Sequence, residues 1–212
     1  MFITFEGIDG SGKSTLISLL SRMLDDRGTD HLVTREPGGT TLGRKLRAVL
    51  LNPQAAGLAD MVELLLYEAD RAQHIREIIR PALERDRIVL CDRFSDATIA
   101  YQGFGRGLPM DRVRAIDSQV RDGLLPDLTV LLDLPVEAGL NRTRNRNLGK
   151  KNARESRMDD EAASFHEKVR RGYLEIAASE PGRFLVLNGL RQPEELARAV
   201  MDELEARFKD AL

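Results

Sequence analysis

Phe2-Ile3-Thr4-Phe5-Glu6-Gly7-Ile8-Asp9-Gly10-Ser11-Gly12-Lys13-Ser14-Thr15 opens this chain, and Leu16-Ile17-Ser18-Leu19-Leu20-Ser21-Arg22-Met23-Leu24 follows directly. Phe2–Phe5 is a short apolar run of strand type, Gly7–Ser14 is a full G-x-x-x-x-G-K-[ST] match, and Thr15–Leu24 carries its apolar residues at helical spacing. Strand, glycine-rich loop and helix in this register make a phosphate-binding loop. Glycines let the backbone of Gly7, Ile8, Asp9, Gly10, Ser11 and Gly12 curl so that its N–H groups point inward at a β-phosphate, while the helix that begins near Ser14 and Thr15 adds its positive end. Lys13 reaches the β- and γ-phosphates of a nucleoside triphosphate, and Ser14 can ligand Mg²⁺. Lys13 itself reads as an exposed loop residue that contributes little to the core.

Four further apolar runs, His31–Thr34, Ile88–Cys91, Leu128–Leu132 and Phe184–Leu187, are separated from the first and from each other by helical stretches. Strands that are apolar on consecutive positions belong to a parallel sheet covered by helices on both faces, so the expectation is an α/β fold with right-handed crossovers. Ala59–Arg80 reads as one long, largely buried helix stopped by Pro81. Asn141–Arg157, with seven Lys or Arg residues and almost nothing apolar, reads as a mobile basic flap. Asp133, two residues before Pro135, reads first as a helix N-cap.

The chain has 212 residues, enough for one α/β domain with an elaboration, and 32 Lys+Arg against 34 Asp+Glu supply no global positive field for holding a nucleic acid duplex. Apolar residues at 42% and charged ones at 31% exclude a disordered tail and a membrane bundle, and no apolar run is long enough to span a bilayer. One cysteine makes an internal disulfide impossible, and the N-terminus runs into a strand pattern without a secretory leader, so the expected address is the cytoplasm. No histidines, and no histidine with Cys91, have metal-ligand spacing; Cys91 reads as a small buried hydrophobe.

In an open parallel sheet, ligands collect beyond the carboxyl ends of the strands. Asp92, directly after one run, is placed to hold Mg²⁺ through water, and Arg93 and Arg35 can fork onto an anionic acceptor; a local Asp-Arg salt bridge is the alternative. Asp9 puts a second carboxylate close to triphosphate, which is unhelpful there unless it faces another substrate or only solvent. Tyr67, Arg71 and His74 share one helix face, where an aromatic plane and a guanidinium could stack and read a base, or serve as core and rim; His74, like His31 and His166, reads as structural. A triphosphate site, a Mg²⁺ carboxylate and a second set of cations together suggest transfer of a γ-phosphoryl group to an anionic acceptor, with positioning and cationic stabilisation in place of a side-chain nucleophile. A guanine-reading Asn-Lys-x-Asp element is absent, since no lysine follows an asparagine, which argues against a regulatory switch.

Glu6–Ser14, Arg35-Glu36-Pro37-Gly38-Gly39-Thr40, Tyr67–His74, Asp92-Arg93-Phe94 with Ala100-Tyr101-Gln102-Gly103, and Pro126-Asp127-Leu128-Thr129 closely resemble the bacterial thymidylate kinase family, over essentially the whole chain. The resemblance implies a P-loop three-layer sandwich on a five-stranded parallel sheet, one domain over residues 1–212 with a short arginine-rich lid at about 141–158. It implies Mg²⁺-dependent transfer from ATP to dTMP, giving dTDP and ADP, in a homodimer with no nucleic acid or membrane partner. By position, Asp9 would meet the sugar 3′-hydroxyl, Tyr67 would stack on thymine, and Arg71, Thr98 and Gln102 would read its edge. Arg35, Arg47 and Arg93 would surround the acceptor phosphate, and Tyr101 would crowd the 2′ position. Some relatives carry an arginine where this chain has Gly10, so the catalytic arginine is expected from the lid, at Arg157 with Arg154 in reserve. Ala97 stands where relatives often have serine. The adenine pocket is weakly marked, by Arg142 and by Asn188-Gly189.

Overall fold

The computed structural model describes residues 1–52, 57–148 and 161–209. Five strands, β1 (Phe2–Glu6), β2 (His31–Arg35), β3 (Ile88–Asp92), β4 (Leu128–Asp133) and β5 (Phe184–Asn188), lie in the order β2-β3-β1-β4-β5, and every pairing is parallel. The central strands are buried along most of their length, as expected where helices cover both faces, whereas the edge strands expose Val33 and Val186. The phosphate-binding loop leaves β1 at the centre of the sheet. Its helix, α1 (Lys13–Asp26), lays Leu16, Ile17, Leu20 and Leu24 against Ile3 and Phe5, together with α9 (Pro193–Phe208).

The opposite face is covered by two groups of residues. Helix α8 (Ala163–Ser179) packs Phe165, Val169, Tyr173 and Ile176 with Ile99, Tyr101 and Leu131, and Ile75 and Ile79 pack on Phe2, Val89 and Phe94. Helices α2 (Thr41–Leu50) and α6 (Met110–Arg121) flank α3 (Asp60–His74).

The long helix departs from its sequence reading in two ways. Pro81 does not stop it: α3 continues through a π-helical turn, Ile75–Ile79, into α4 (Arg80–Leu83), which contains the proline. Proline lacks an N–H, and its ring collides with the carbonyl four residues back in an ordinary helix; a widened turn relieves both problems. It is also less buried than that reading expects, since Val62 and Leu65 are 43% and 49% exposed.

A second π-helical stretch, Ile99–Gly105, follows the short α5 (Ser95–Thr98). The basic segment is also corrected in its first half. Val136–Leu148 is a helix, α7, so Asn141 and Arg142 stand on regular structure, while residues 149–160 lie outside the described residues. Composition hid this helix because its buried face is narrow, made by Val136, Leu140 and Thr143. Asp133 is no cap: its carboxylate takes two bonds from Arg170, at 2.7 and 3.0 Å.

Candidate active site

A cavity of about 630 Å³ opens beyond the carboxyl ends of the strands. One wall is the loop from Asp9 to Thr15, and the other is built by Arg35, Arg47, Tyr67, Arg71, Asp92, Arg93, Thr98, Tyr101 and Gln102. Arg142 and Gly189 line the far end. Gly7 and Ile8 are not in this wall: the Ile8 side chain packs in the core, and Gly7 gives its carbonyl to Lys13. Arg157 and Arg154 lie outside the described residues.

Lys13 is buried, contrary to its reading as an exposed residue, because its ammonium folds back onto the loop. It donates to the carbonyls of Gly7 at 2.9 Å and Ile8 at 3.1 Å and to Ser11 Oγ at 3.2 Å. Burial, with Arg93 close by, lowers the ammonium to about 8. Ser14 Oγ donates to Asp92 Oδ2 at 3.0 Å across the gap between α1 and β3. Two hard oxygen donors facing the cavity suit Mg²⁺, which keeps several waters and takes phosphate oxygens for the rest of its shell.

Asp9 turns away from the phosphate loop. Its Oδ1 accepts from Arg93 Nη2 at 2.9 Å and its Oδ2 from the Tyr101 hydroxyl at 3.1 Å. Burial raises its pKa, but the charges of Arg93 and then Lys13 outweigh that and hold the carboxyl at about 2. Arg93 also donates to the Tyr101 hydroxyl at 3.0 Å and lies over that ring. Arg47 donates to the Pro37 carbonyl, and burial and then the like charge of Arg35 push its pKa down. Arg35 and Arg47 thus bring two like charges to one cavity wall, an arrangement suited to an anion.

Arg71 is 2% exposed and caged. Nε donates to Glu36, Nη1 to Glu68, Thr98 and Asp117, and Nη2 to the Phe94 carbonyl. Burial opposes its charge, yet Glu68, Glu36 and Asp117 keep it above the usual arginine range. Glu36 also accepts from His74, whose other ring nitrogen meets Thr34 Oγ1, so His74 is a structural tie, as its sequence reading held. Gln102 donates to Glu63 at 2.8 Å, and Tyr67 lines the cavity half-buried on α3.

Gly10 has φ 76°, and a Cβ there would meet the Gly139 carbonyl oxygen of α7 at 2.2 Å. The loop therefore has no room for a side chain where some relatives carry an arginine. Arg142, one turn further along α7, donates to the Gly189 carbonyl at 2.9 Å, which brings together the two features read as marking the adenine pocket.

Sequence reasoning gave no role to Glu6, Glu36, Asp117 or Tyr173. Glu6 and Glu36 had a faint signal, each an acid directly at a strand end; Tyr173 and Asp117 had none, being ordinary helix residues far along the chain.

Among the described residues, no helix is long and apolar enough to cross a membrane. The family model described as thymidylate kinase matches residues 5–200. The chain is 53% identical over 211 residues to the thymidylate kinase of Desulfovibrio desulfuricans, covering 99% of this chain and 97% of that one. It is 51% identical to the thymidylate kinase of Trichlorobacter lovleyi, with 98% of each covered, and 48% identical to that of Solidesulfovibrio magneticus, with 94% and 96% covered. On sheet order, phosphate loop and near full-length identity alike, the chain belongs to the thymidylate kinase family.

Proposed function

We propose that this chain transfers the γ-phosphoryl group of ATP to dTMP, giving dTDP and ADP and so supplying dTTP for DNA synthesis. One observation carries the reading: a group of arginines faces the phosphate loop across a single cavity, with the Asp9 carboxylate turned out of that loop toward Arg93, so two anionic substrates can meet there. ATP lies with its phosphates on residues 9–15 and its adenine toward Arg142. Lys13 leaves the loop carbonyls for the β- and γ-phosphates. Ser14 and Asp92 are the residues suited to hold Mg²⁺, which supplies charge neutralisation between the phosphates when bound.

Asp9, ionised throughout the physiological range, can only accept hydrogen bonds, which fits it to the sugar 3′-hydroxyl. Tyr101 stands beside it at the 2′ edge of the sugar. Tyr67 stacks on the base, while Arg71, Thr98 and Gln102 read its edge from rigid, already bonded positions. Arg35, Arg47 and Arg93 hold the acceptor phosphate in line with the transferring group. A lid arginine, Arg157, supplies the charge that Gly10 cannot. The 212 residues act as one kinase domain, and the enzyme works in the cytoplasm as a homodimer, without nucleic acid or membrane.

Coupled measurement of ADP release with ATP and each of dTMP, dUMP, CMP, UMP and AMP tests the reading. The expected result is a kcat/KM for dTMP at least about tenfold above every other acceptor, the discrimination available to one well-fitted pocket. Equal use of CMP, UMP or AMP would move the chain to another monophosphate kinase.

A further inference from the structure

Glu6 ends β1 with its side chain fully buried, and it is absent from the cavity wall. Its oxygens have separate tasks: Oε1 accepts the Phe94 backbone N–H at 2.7 Å, and Oε2 accepts the Tyr173 hydroxyl at 2.7 Å. Tyr173, on α8, accepts in turn from Arg93 Nη1 at 3.0 Å. A guanidinium has only donors, so the tyrosine oxygen must accept from it and spend its one proton elsewhere; Glu6 takes that proton bond. The direction of the chain, Arg93 to Tyr173 to Glu6, is thereby fixed.

The backbone needs support too. Arg93 has φ 72°, a left-handed conformation that is unfavourable for any residue with a Cβ and persists only where its surroundings fix it. The Arg93 N–H donates to the Phe5 carbonyl, and the next N–H, of Phe94, ends on Glu6. Adjacent residues at the end of β1 thus hold both sides of the turn, and through Tyr173 they hold the guanidinium that turn presents. An apolar residue would fill the Glu6 position more cheaply, since burial, aided by Asp96, pushes its carboxyl up to about 7.

The structure assigns Glu6 and Tyr173 the role of positioning residues for Arg93, aiming its guanidinium between Asp9 and the acceptor phosphate without touching a substrate. This rests on the proposed reading of the cavity as the dTMP and ATP site. Asp9 and Tyr101 take the Nη2 side of the guanidinium and Tyr173 the Nη1 side, so loss of the tyrosine oxygen frees one edge while the other stays bonded.

Tyr173→Phe keeps the buried ring against Tyr101 and removes only the oxygen. Its kcat with dTMP is expected to fall about 10- to 100-fold, the rate equivalent of one hydrogen bond to a charged group, with the KM for ATP held within about twofold. In an Arg93→Ala background the same substitution should change kcat by less than about twofold, because the group it positions is gone. Glu6→Gln, which can no longer accept at both positions, should follow the same pattern. Equal losses in the two backgrounds, or no loss in the wild-type background, would overturn the assignment. A wild-type preference for another monophosphate overturns the dTMP reading alone, and the cycle run on that acceptor still decides the positioning.

Discussion

Asp70 has one oxygen engaged and one not: Oδ1 accepts the Gly38 N–H at 3.1 Å, while buried Oδ2 has no hydrogen-bond partner among the described residues. Burial, and then the charge of Glu36, raise its pKa from 3.8 to about 6. Between those values the folded protein holds a proton that the unfolded chain has lost, so stability falls as pH rises through the window and the loss is complete above about 6. Asparagine at this position keeps the bond to Gly38 and has no proton to lose. Urea midpoints of wild type and Asp70→Asn from pH 5 to 7.5 should therefore diverge in favour of the variant as pH rises, by on the order of 1–2 kcal/mol. A difference independent of pH would return Asp70 to an ordinary carboxylate. The carboxylate is tolerated because it fixes the loop after β2, which carries Glu36 to Arg71.

Helix α7 is seated on the phosphate loop by mutual absence of side chains. A Cβ on Gly139 would meet the Asp9 carbonyl at 2.7 Å, just as one on Gly10 would meet Gly139. Backbone contact this close leaves the loop with Lys13 as its only cation, so charge developing on the transferred phosphoryl group needs a partner from the opposite side. The basic residues beyond α7 are the proposed source. Arg157→Ala should lower kcat by roughly 10³, with little change in the KM for dTMP, because such a contact forms chiefly in the transition state. Lysine should rescue only in part, since it lacks the planar fork. Steady-state kinetics on Arg157→Ala and Arg154→Ala decide between the two: a loss confined to Arg154 moves the role there, and no loss at either removes the lid from the chemistry.

The strand order β2-β3-β1-β4-β5 places the phosphate loop at the centre, with Asp92 at the end of the neighbouring β3, Arg93 directly after it, and Arg35 one strand beyond. All three charged groups face one cavity because the strands are parallel and end together. Outside this packed body, α3 carries Val62 and Leu65 one turn apart and nearly half exposed. An apolar pair on a helix that also carries Tyr67 and Arg71 suits a symmetric contact between two copies, which would brace the base-reading helix from behind. Leu65→Glu should shift sedimentation from dimer to monomer and lower dTMP affinity by several fold through loss of that brace. An unaltered sedimentation coefficient would overturn the assignment of a contact to this face.

The phosphate loop, the five strands and the residues at their ends were legible because each is a contiguous pattern: backbone N–H groups cradle phosphate only when neighbouring residues curl together, and a buried strand reports itself by consecutive apolar positions. Arg47, Thr98 and Gln102 entered through family resemblance, since nothing in their own neighbourhoods marks them. The course of the long helix through Pro81, the helical start of the basic segment and the Arg170 pairing of Asp133 were decided by packing that local propensity does not encode. So were the groups that aim the site. Tyr173 meets Glu6 across 167 positions, and of the three carboxylates around Arg71 only Glu68 is local, on the same helix, while Glu36 and Asp117 come from other parts of the chain. A buried guanidinium must find acceptors wherever the fold supplies them, and only folding brings those acceptors within reach.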